Sequence, residues 1–88
     1  MPHSLSARKR ARQNEVRAER NKPFRSRAAH AVREAREAIA AGDDDAGALV
    51  REAQAALDRA ARRLVIHPNA AARRKSRLAQ RLKAAQAS

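Results

Sequence analysis

Alanine supplies most of the apolar residues of this chain, and the scarcity of bulky side chains limits what it can fold into. The chain holds 24 alanines, whereas leucine, isoleucine, valine and phenylalanine together number only 13. A low content of bulky apolar residues with high net charge is typical of disordered chains. Alanine and arginine are strong helix formers, however, and glycine and proline are rare. We therefore expect helices that form readily around a thin core, and a free fold of marginal stability.

The charge of the chain is strongly basic and unevenly distributed. Lysine and arginine number 21 against nine acidic residues, which gives a net charge of +12. Residues 1–41 hold eleven basic and four acidic side chains, residues 42–63 hold four and five, and residues 64–88 hold six and none. Such an excess indicates attraction to nucleic acid or to an anionic membrane. There is no cysteine, as in many cytosolic proteins, and no apolar run is long enough for a signal peptide or a membrane span.

Apolar spacing and helix breakers predict three helices. The first runs from Ser6 to Ala41 and ends at Gly42, a residue typical of helix C-termini. The second spans 46–64, and its expected core face holds Ala46, Leu49, Ala53, Ala56, Leu57, Ala60 and Leu64. The third spans 69–86, since Pro68 and Asn69 form a helix-start signal with asparagine as the cap. Short connections favour antiparallel neighbours, so we expect an all-α, three-helix bundle in a single domain, 1–88.

The first helix has two unlike parts. Its second part, 23–41, carries a core stripe of Phe24, Ala28, Val32, Ala35 and Ile39. Its first part, 1–22, is a basic extension in which Val16 is the only bulky apolar residue after Leu5. A helix that is polar on all sides is not held by a protein core, so the extension is expected to project beyond the bundle.

Pro23 stands at the boundary between these two parts. Proline has no N–H to donate, and its ring collides with the carbonyl four residues earlier, here that of Glu19. The residue before a proline is also pushed away from helical angles. We therefore expect a kink or a break between Glu19 and Pro23.

The third helix combines a thin apolar seam with a ridge of arginines. At about 100° per residue, one face holds Ala71, Leu78, Leu82 and Ala85. Another face gathers Arg73, Arg74, Arg77 and Arg81. No acidic residue follows Asp58, so this charge is uncompensated. Such a helix suits a polyanion, and nucleic acid is the first candidate. With a single aromatic residue in the chain, base stacking is nearly excluded, whereas phosphate contact and shape recognition remain.

Other functional classes find little support in the sequence. His3, His30 and His67 lack the spacing and partners of a metal site, and Asp43–Asp45 lack the spacing of a calcium loop. These aspartates are expected to interact with the N-terminal dipole of the second helix. No nucleophile, base and orienting group can be assembled, so we expect neither an enzyme nor a cofactor. Membrane binding is disfavoured, because the apolar face of the third helix has no aromatic anchor.

Two blocks of sequence resemble the family of the twentieth protein of the bacterial small ribosomal subunit. The first reads SARKRARQNE over 6–15 and continues with Arg20-Asn21-Lys22. The second reads IHPNAAARRKSRL over 66–78, where the family typically has IHKNAAARKKSRL. The turn Ala41-Gly42-Asp43 and the order of segments also agree, so the resemblance covers essentially the whole chain. Three positions depart from the family pattern: Pro68 replaces a lysine, Leu64 stands where glycine is common, and Pro23 is not typical.

The resemblance implies a three-helix bundle with a long first helix, which binds 16S ribosomal RNA (rRNA) in the body of the small subunit. In that family, the contacts with rRNA come mainly from the N-terminal basic stretch and the third helix. Carried over by position, these are Arg8, Lys9, Arg10, Arg12, Gln13, Asn14, Asn21, His67, Asn69, Arg73, Arg74, Lys75, Ser76 and Arg77. The charge map adds Arg17, Arg20, Lys22, Arg25 and Arg81 as candidate RNA-binding residues.

We therefore expect a structural, ribosome-bound, cytoplasmic protein that binds 16S rRNA and stabilises its fold during assembly. Its expected partners are that RNA and the small subunit, with no small-molecule substrate, no membrane and no homo-oligomer. The alternative is a nucleoid-associated, basic DNA-binding protein. That alternative needs a groove-reading element or an apolar wedge, and the sequence shows neither.

Overall fold

The computed structural model describes residues 5–87, which contain three helices joined by short turns and no strand. Helix α1 spans Leu5–Ala41, α2 spans Ala46–Arg62 and α3 spans Pro68–Ala87. At 1.5 Å per residue α1 is about 55 Å long, roughly twice the length of α2. The molecule accordingly measures 61 × 19 × 18 Å, and the first half of α1 extends beyond the bundle. The expected all-α, three-helix bundle with a long first helix is confirmed.

The core lies where α2 packs against the other two helices. Its buried members are mostly alanine, and only Leu57 and Leu78 are large side chains buried almost completely. Alanine lets helix axes approach closely, but it removes little apolar surface from water. The core is therefore as thin as the composition predicts. Its buried residues are Ala28, Ala35, Val50, Ala53, Ala56, Leu57, Ala60, Ala71 and Leu78.

The predicted core faces are partly confirmed. On α1, Ala28 and Ala35 are buried, and the other members of the stripe are half-buried. On α2, Val50 is buried in addition to the expected alanines, whereas Leu49 is only half-buried. Leu64 is 81% exposed, so its assignment to the core face of α2 was wrong. The helix ends at Arg62, and the chain reverses before Leu64 can face the core.

Helices α1 and α2 end in the same hydrogen-bonded motif. After α1, the Asp43 N–H donates to the Ala38 carbonyl at 3.0 Å, with Gly42 at φ +68°. After α2, the Val65 N–H donates to the Ala60 carbonyl at 2.9 Å, with Leu64 at φ +58°. This is the Schellman arrangement, which needs a left-handed residue after the helix and usually takes glycine. Gly42 ends α1 as predicted, and a leucine occupies the equivalent place after α2.

Helix α1 continues through Pro23 without interruption, so the predicted break is absent. Proline removes one backbone hydrogen bond and leaves the carbonyl of Glu19 without that donor. Both residues are exposed, so water can satisfy this carbonyl. Alanine- and arginine-rich flanks also favour helix on both sides. A kink without a break stays a prediction.

Helix α3 begins at Pro68, one residue before the predicted start. The Asn69 N–H donates to His67 Nδ1 at 3.0 Å, and the Ala71 N–H donates to the His67 carbonyl at 3.0 Å. His67 is therefore the cap, and the assignment of this role to Asn69 was wrong. Proline takes the first helical position, where its missing N–H is harmless. Residues 1–4 and 88 of the predicted domain lie outside the described residues, and His3 is among them.

Candidate nucleic-acid interface

The extension of α1 is exposed to solvent on every side. Every residue from 8 to 20 is exposed, so this helical segment makes no core contact. Val16, its only bulky apolar residue, is 41% exposed. At the base of the extension Asn21 is half-buried, whereas Lys22 and Arg25 are exposed. The sequence-predicted residues that the structure places on the exposed segment are Arg8, Lys9, Arg10, Arg12, Gln13, Asn14, Arg17 and Arg20.

The ridge on α3 is a second basic surface. Arg73, Arg74, Arg77 and Arg81 are exposed, as is Ser76 among them. The opposite side of the helix packs on the bundle through buried Ala71 and Leu78 and half-buried Leu82. Ala85, the fourth residue predicted for this seam, is exposed. The helix thus turns its apolar seam inward and its arginines outward, as its periodicity predicts.

The start of α3 offers two further predicted residues. His67 and Asn69 are both exposed, on either side of Pro68. The Nδ1 atom of His67 accepts the capping hydrogen bond, which leaves Nε2 as the ring nitrogen that can face a partner. Their contacts with RNA stay a prediction.

Lys75 lies apart from the ridge and ties α3 to α2. Its Nζ donates to Asp58 Oδ1 at 2.9 Å and to Oδ2 at 3.2 Å, and its side chain is 35% exposed. Gln54 Nε2 also donates to the Lys75 carbonyl, at 3.4 Å. A partly exposed ion pair contributes at most about 1 kcal/mol, so a phosphate could compete for this ammonium. Its geometry supports a packing role, and its RNA contact stays a prediction.

A cluster of arginines that the sequence analysis did not bring together lies where α1 meets the end of α2. The Arg63 guanidinium carbon stacks 4.4 Å from the centre of the Phe24 ring, and that of Arg27 lies 5.9 Å away. Arg63 also lines a cleft with Leu64 and with Arg17, Arg20 and Asn21 of α1. Arg59 and Arg62 border Phe24 from the same end of α2. The sequence does carry a signal for this cluster, because no acidic residue follows Asp58. That absence was used above only to interpret the charge of α3.

Three consecutive aspartates, Asp43–Asp45, lie at the opposite end of the bundle. Asp43 and Asp44 lie in the turn between α1 and α2, beside Leu82 and Gln86 of α3. Asp43 Oδ1 accepts a hydrogen bond from the Asp45 N–H at 3.0 Å, and Asp45 precedes α2 without a side-chain cap bond. Carboxylates at this position interact favourably with the dipole of α2. The turn between α1 and α2 is therefore locally acidic.

Residues 5–87 show neither a metal centre nor a membrane-spanning helix. Within that range no cluster of histidine, cysteine, aspartate and glutamate is arranged to hold a metal ion. None of the described helices has the length and apolar character needed to cross a membrane.

Comparisons with known proteins agree on one family. The family model for ribosomal protein S20 matches residues 2–83. Small ribosomal subunit protein bS20 of Roseiflexus sp. (strain RS-1) is 54% identical over 81 residues, covering 92% of this chain and 89% of the relative. The protein of that name from Dinoroseobacter shibae is 49% identical over 85 residues, covering 96% and 97%. The one from Roseobacter denitrificans is 50% identical over 84 residues, covering 94% and 97%.

Proposed function

This chain belongs to the ribosomal protein S20 family, and from that premise we propose that it binds 16S rRNA directly and stabilises the folded RNA during assembly. Family membership makes it a structural constituent of the small ribosomal subunit and not an enzyme. It acts on the ribosome in the cytoplasm.

The observation that carries the proposal is the exposed, polar helix over residues 8–20. A helix with no apolar face gains nothing from a protein core, so its charges are available for another partner. RNA phosphates suit these side chains, because lysine and arginine release condensed counterions when they neutralise phosphates. Binding through this segment is therefore expected to weaken steeply with salt.

The ridge on α3 supports a second contact with the same RNA. It lies on a different helix from the extension, so the protein presents two separate basic surfaces. A protein of this shape can neutralise phosphates where two RNA helices approach each other. The phosphate backbone and the 2′-hydroxyls, more than base edges, would then determine where it binds. Phe24 is half-buried beneath Arg63, which leaves no free aromatic platform for base stacking in the described residues.

The first test compares affinities for 16S rRNA, an unrelated structured RNA and duplex DNA at about 150 mM salt, where long-range charge effects are screened. We expect marked preference for 16S rRNA, with a discrete footprint on it. Equal affinity for all three polyanions would overturn the proposal and favour a nucleoid-associated DNA-binding protein instead.

The ridge is tested by replacing Arg73, Arg74 and Arg77 with alanine. Affinity for 16S rRNA should fall, and the slope of log K against log salt should flatten by about one unit for each phosphate that is no longer neutralised. The matched control replaces three exposed arginines outside both basic surfaces, Arg33, Arg36 and Arg51, and removes the same net charge. If the slope flattens equally in both triple variants, net charge and not the ridge governs binding.

A further inference from the structure

We propose that the cleft between α1 and the end of α2 is a phosphate clamp, in which Arg63 acts with Arg17 and Arg20 on one stretch of RNA backbone. This inference rests on the proposed RNA binding and adds to it a contact from Arg63, the residue directly after α2. The clamp lies at the base of the extension, and no residue of the ridge on α3 belongs to its lining.

The cleft has the lining that a phosphate needs. It is an open cleft of about 530 Å³, bordered by Arg17, Arg20, Asn21, Arg63 and Leu64. Three arginines and one asparagine belong to this lining, and no acidic residue does. Arginine is suited to this task, since its planar fork of N–H donors matches the oxygens of a phosphate. Groups from two helices converge here, so the site depends on the fold and not on one helix alone.

Phe24 prepares Arg63 for this role. The guanidinium lies over the ring, with its central carbon 4.4 Å from the ring centre. A cation on an aromatic face is stabilised by the ring quadrupole, and the stacked guanidinium keeps its N–H edges for other partners. Holding the side chain in place before RNA arrives reduces the entropy cost of binding. Phe24 is therefore a positioning residue and Arg63 the binding residue.

The nearest acidic residue on α2 does not neutralise the clamp. Asp58 is the last acidic residue of the chain, and its carboxylate is engaged by Lys75 of α3. On α1, Glu15 and Glu19 are exposed and do not line the cleft. The positive potential of the cleft is thus left for an external anion. The ion pair that joins α2 to α3 supports the clamp by occupying the one carboxylate near the end of α2.

Leu64 completes the cleft with an exposed apolar wall. Its side chain is 81% exposed, and its positive φ directs the chain away from α2. An unusual backbone conformation beside a candidate site is a reason to look for function there. Against an RNA backbone, this side chain would become less exposed by packing on a ribose.

The decisive measurement is the salt dependence of 16S rRNA binding by Arg63→Ala and by Arg51→Ala, an exposed arginine within α2 that does not line the cleft. We expect Arg63→Ala to weaken binding roughly tenfold, as when a charged hydrogen bond is removed, and to flatten the salt slope by about one unit. Arg51→Ala should change neither the affinity nor the salt slope. Arg63→Lys keeps the charge but loses the planar fork of N–H donors. Relative to Arg63→Ala, it should restore the wild-type salt slope but only part of the affinity.

Equal behaviour of Arg63→Ala and Arg51→Ala would overturn the clamp while leaving RNA binding intact. Absence of any preference for 16S rRNA in the wild-type protein would overturn the proposed function itself, so the two failures are distinguishable.

Phe24 is tested separately from the arginine. Phe24→Leu should weaken binding, and Phe24→Tyr should restore it by returning an aromatic face. Phe24→Leu should have no further effect in the Arg63→Ala background, because the two residues act through one contact. Full additivity of these two changes would overturn the positioning role.

Discussion

Leu64 shows how one residue can oppose the local geometry that the fold requires. Among the described residues it is the only non-glycine with positive φ. The left-handed region costs an L-residue about 1–2 kcal/mol, because Cβ approaches the following carbonyl oxygen. Since the side chain is 81% exposed, little packing offsets this cost. We expect Leu64→Gly to raise the free energy of unfolding by about 1 kcal/mol, measured by urea denaturation.

Gly42 provides the matched control for this change, because it occupies the same position in the motif that ends α1. Its φ is +68°, and a Cβ added there meets nothing within 4 Å. Gly42→Ala would therefore introduce the backbone strain without a steric clash, and it should lower stability by about 1 kcal/mol. The two substitutions are thus expected to have opposite signs. A decrease of stability in Leu64→Gly would show that the leucine side chain makes packing interactions that outweigh its strain.

At the scale of the element, α1 continues across a residue that opposes helix formation. Proline in a helix interior is about 3 kcal/mol less favourable than alanine. Pro23→Ala restores the missing donor to the Glu19 carbonyl, and it should raise the free energy of unfolding by up to about that amount. The expected readout is a higher melting temperature followed by helical circular dichroism. Ser26→Ala, at an exposed site of the same helix, is the control and should change stability by less than about 0.5 kcal/mol. Equal effects of the two changes would contradict a cost at Pro23.

Helix bounds were predictable where a residue type enforces them. Gly42 and Pro68 marked the end of α1 and the start of α3, since each suits a backbone conformation that few other residues favour. Leu64 misled the prediction, because its apolar side chain lies seven residues after Leu57 and so continues the helical period. Periodicity reports which residues would share a face in a continuous helix, but it does not report where the helix stops. His67 was similarly hard to assign, since a histidine side chain is an uncommon cap beside the preferred Asn69.

The candidate interface was predictable only where its residues are close in sequence. The extension and the ridge on α3 each lie within one helix, and their charge and periodicity are visible along the chain. The clamp was not predictable in this way. Arg63 lines one cleft with Arg17 and Arg20 only because α2 folds back on α1, and the contact between Arg63 and Phe24 also joins residues distant in sequence. Local charge therefore predicted two surfaces, and tertiary packing was needed to find the third.

At the scale of the whole molecule, the stabilising core and the basic extension occupy different parts of the long axis. The alanine-rich core holds the bundle, whereas residues 8–20 are exposed on every side and carry six basic and two acidic side chains. Helices without tertiary packing are marginal in water, so the extension should open far more often than the core. Bound RNA phosphates would neutralise its mutual repulsion and order it. The molecule is thus expected to complete its fold on its partner.

Hydrogen exchange of the backbone amides tests this expectation directly. In the free protein, amides of residues 8–20 should exchange quickly, whereas those around Leu57 should be protected by the closed core. Saturating 16S rRNA should slow exchange over 8–20 and change the α2 amides little. Unrelated structured RNA at the same concentration is the control for non-specific charge, and it should protect the extension less. Equal protection of both regions in the free protein would contradict this expectation and show that α1 is stable along its whole length without RNA. Helix propensity alone would then outweigh the missing core contacts and the repulsion among the arginines of α1.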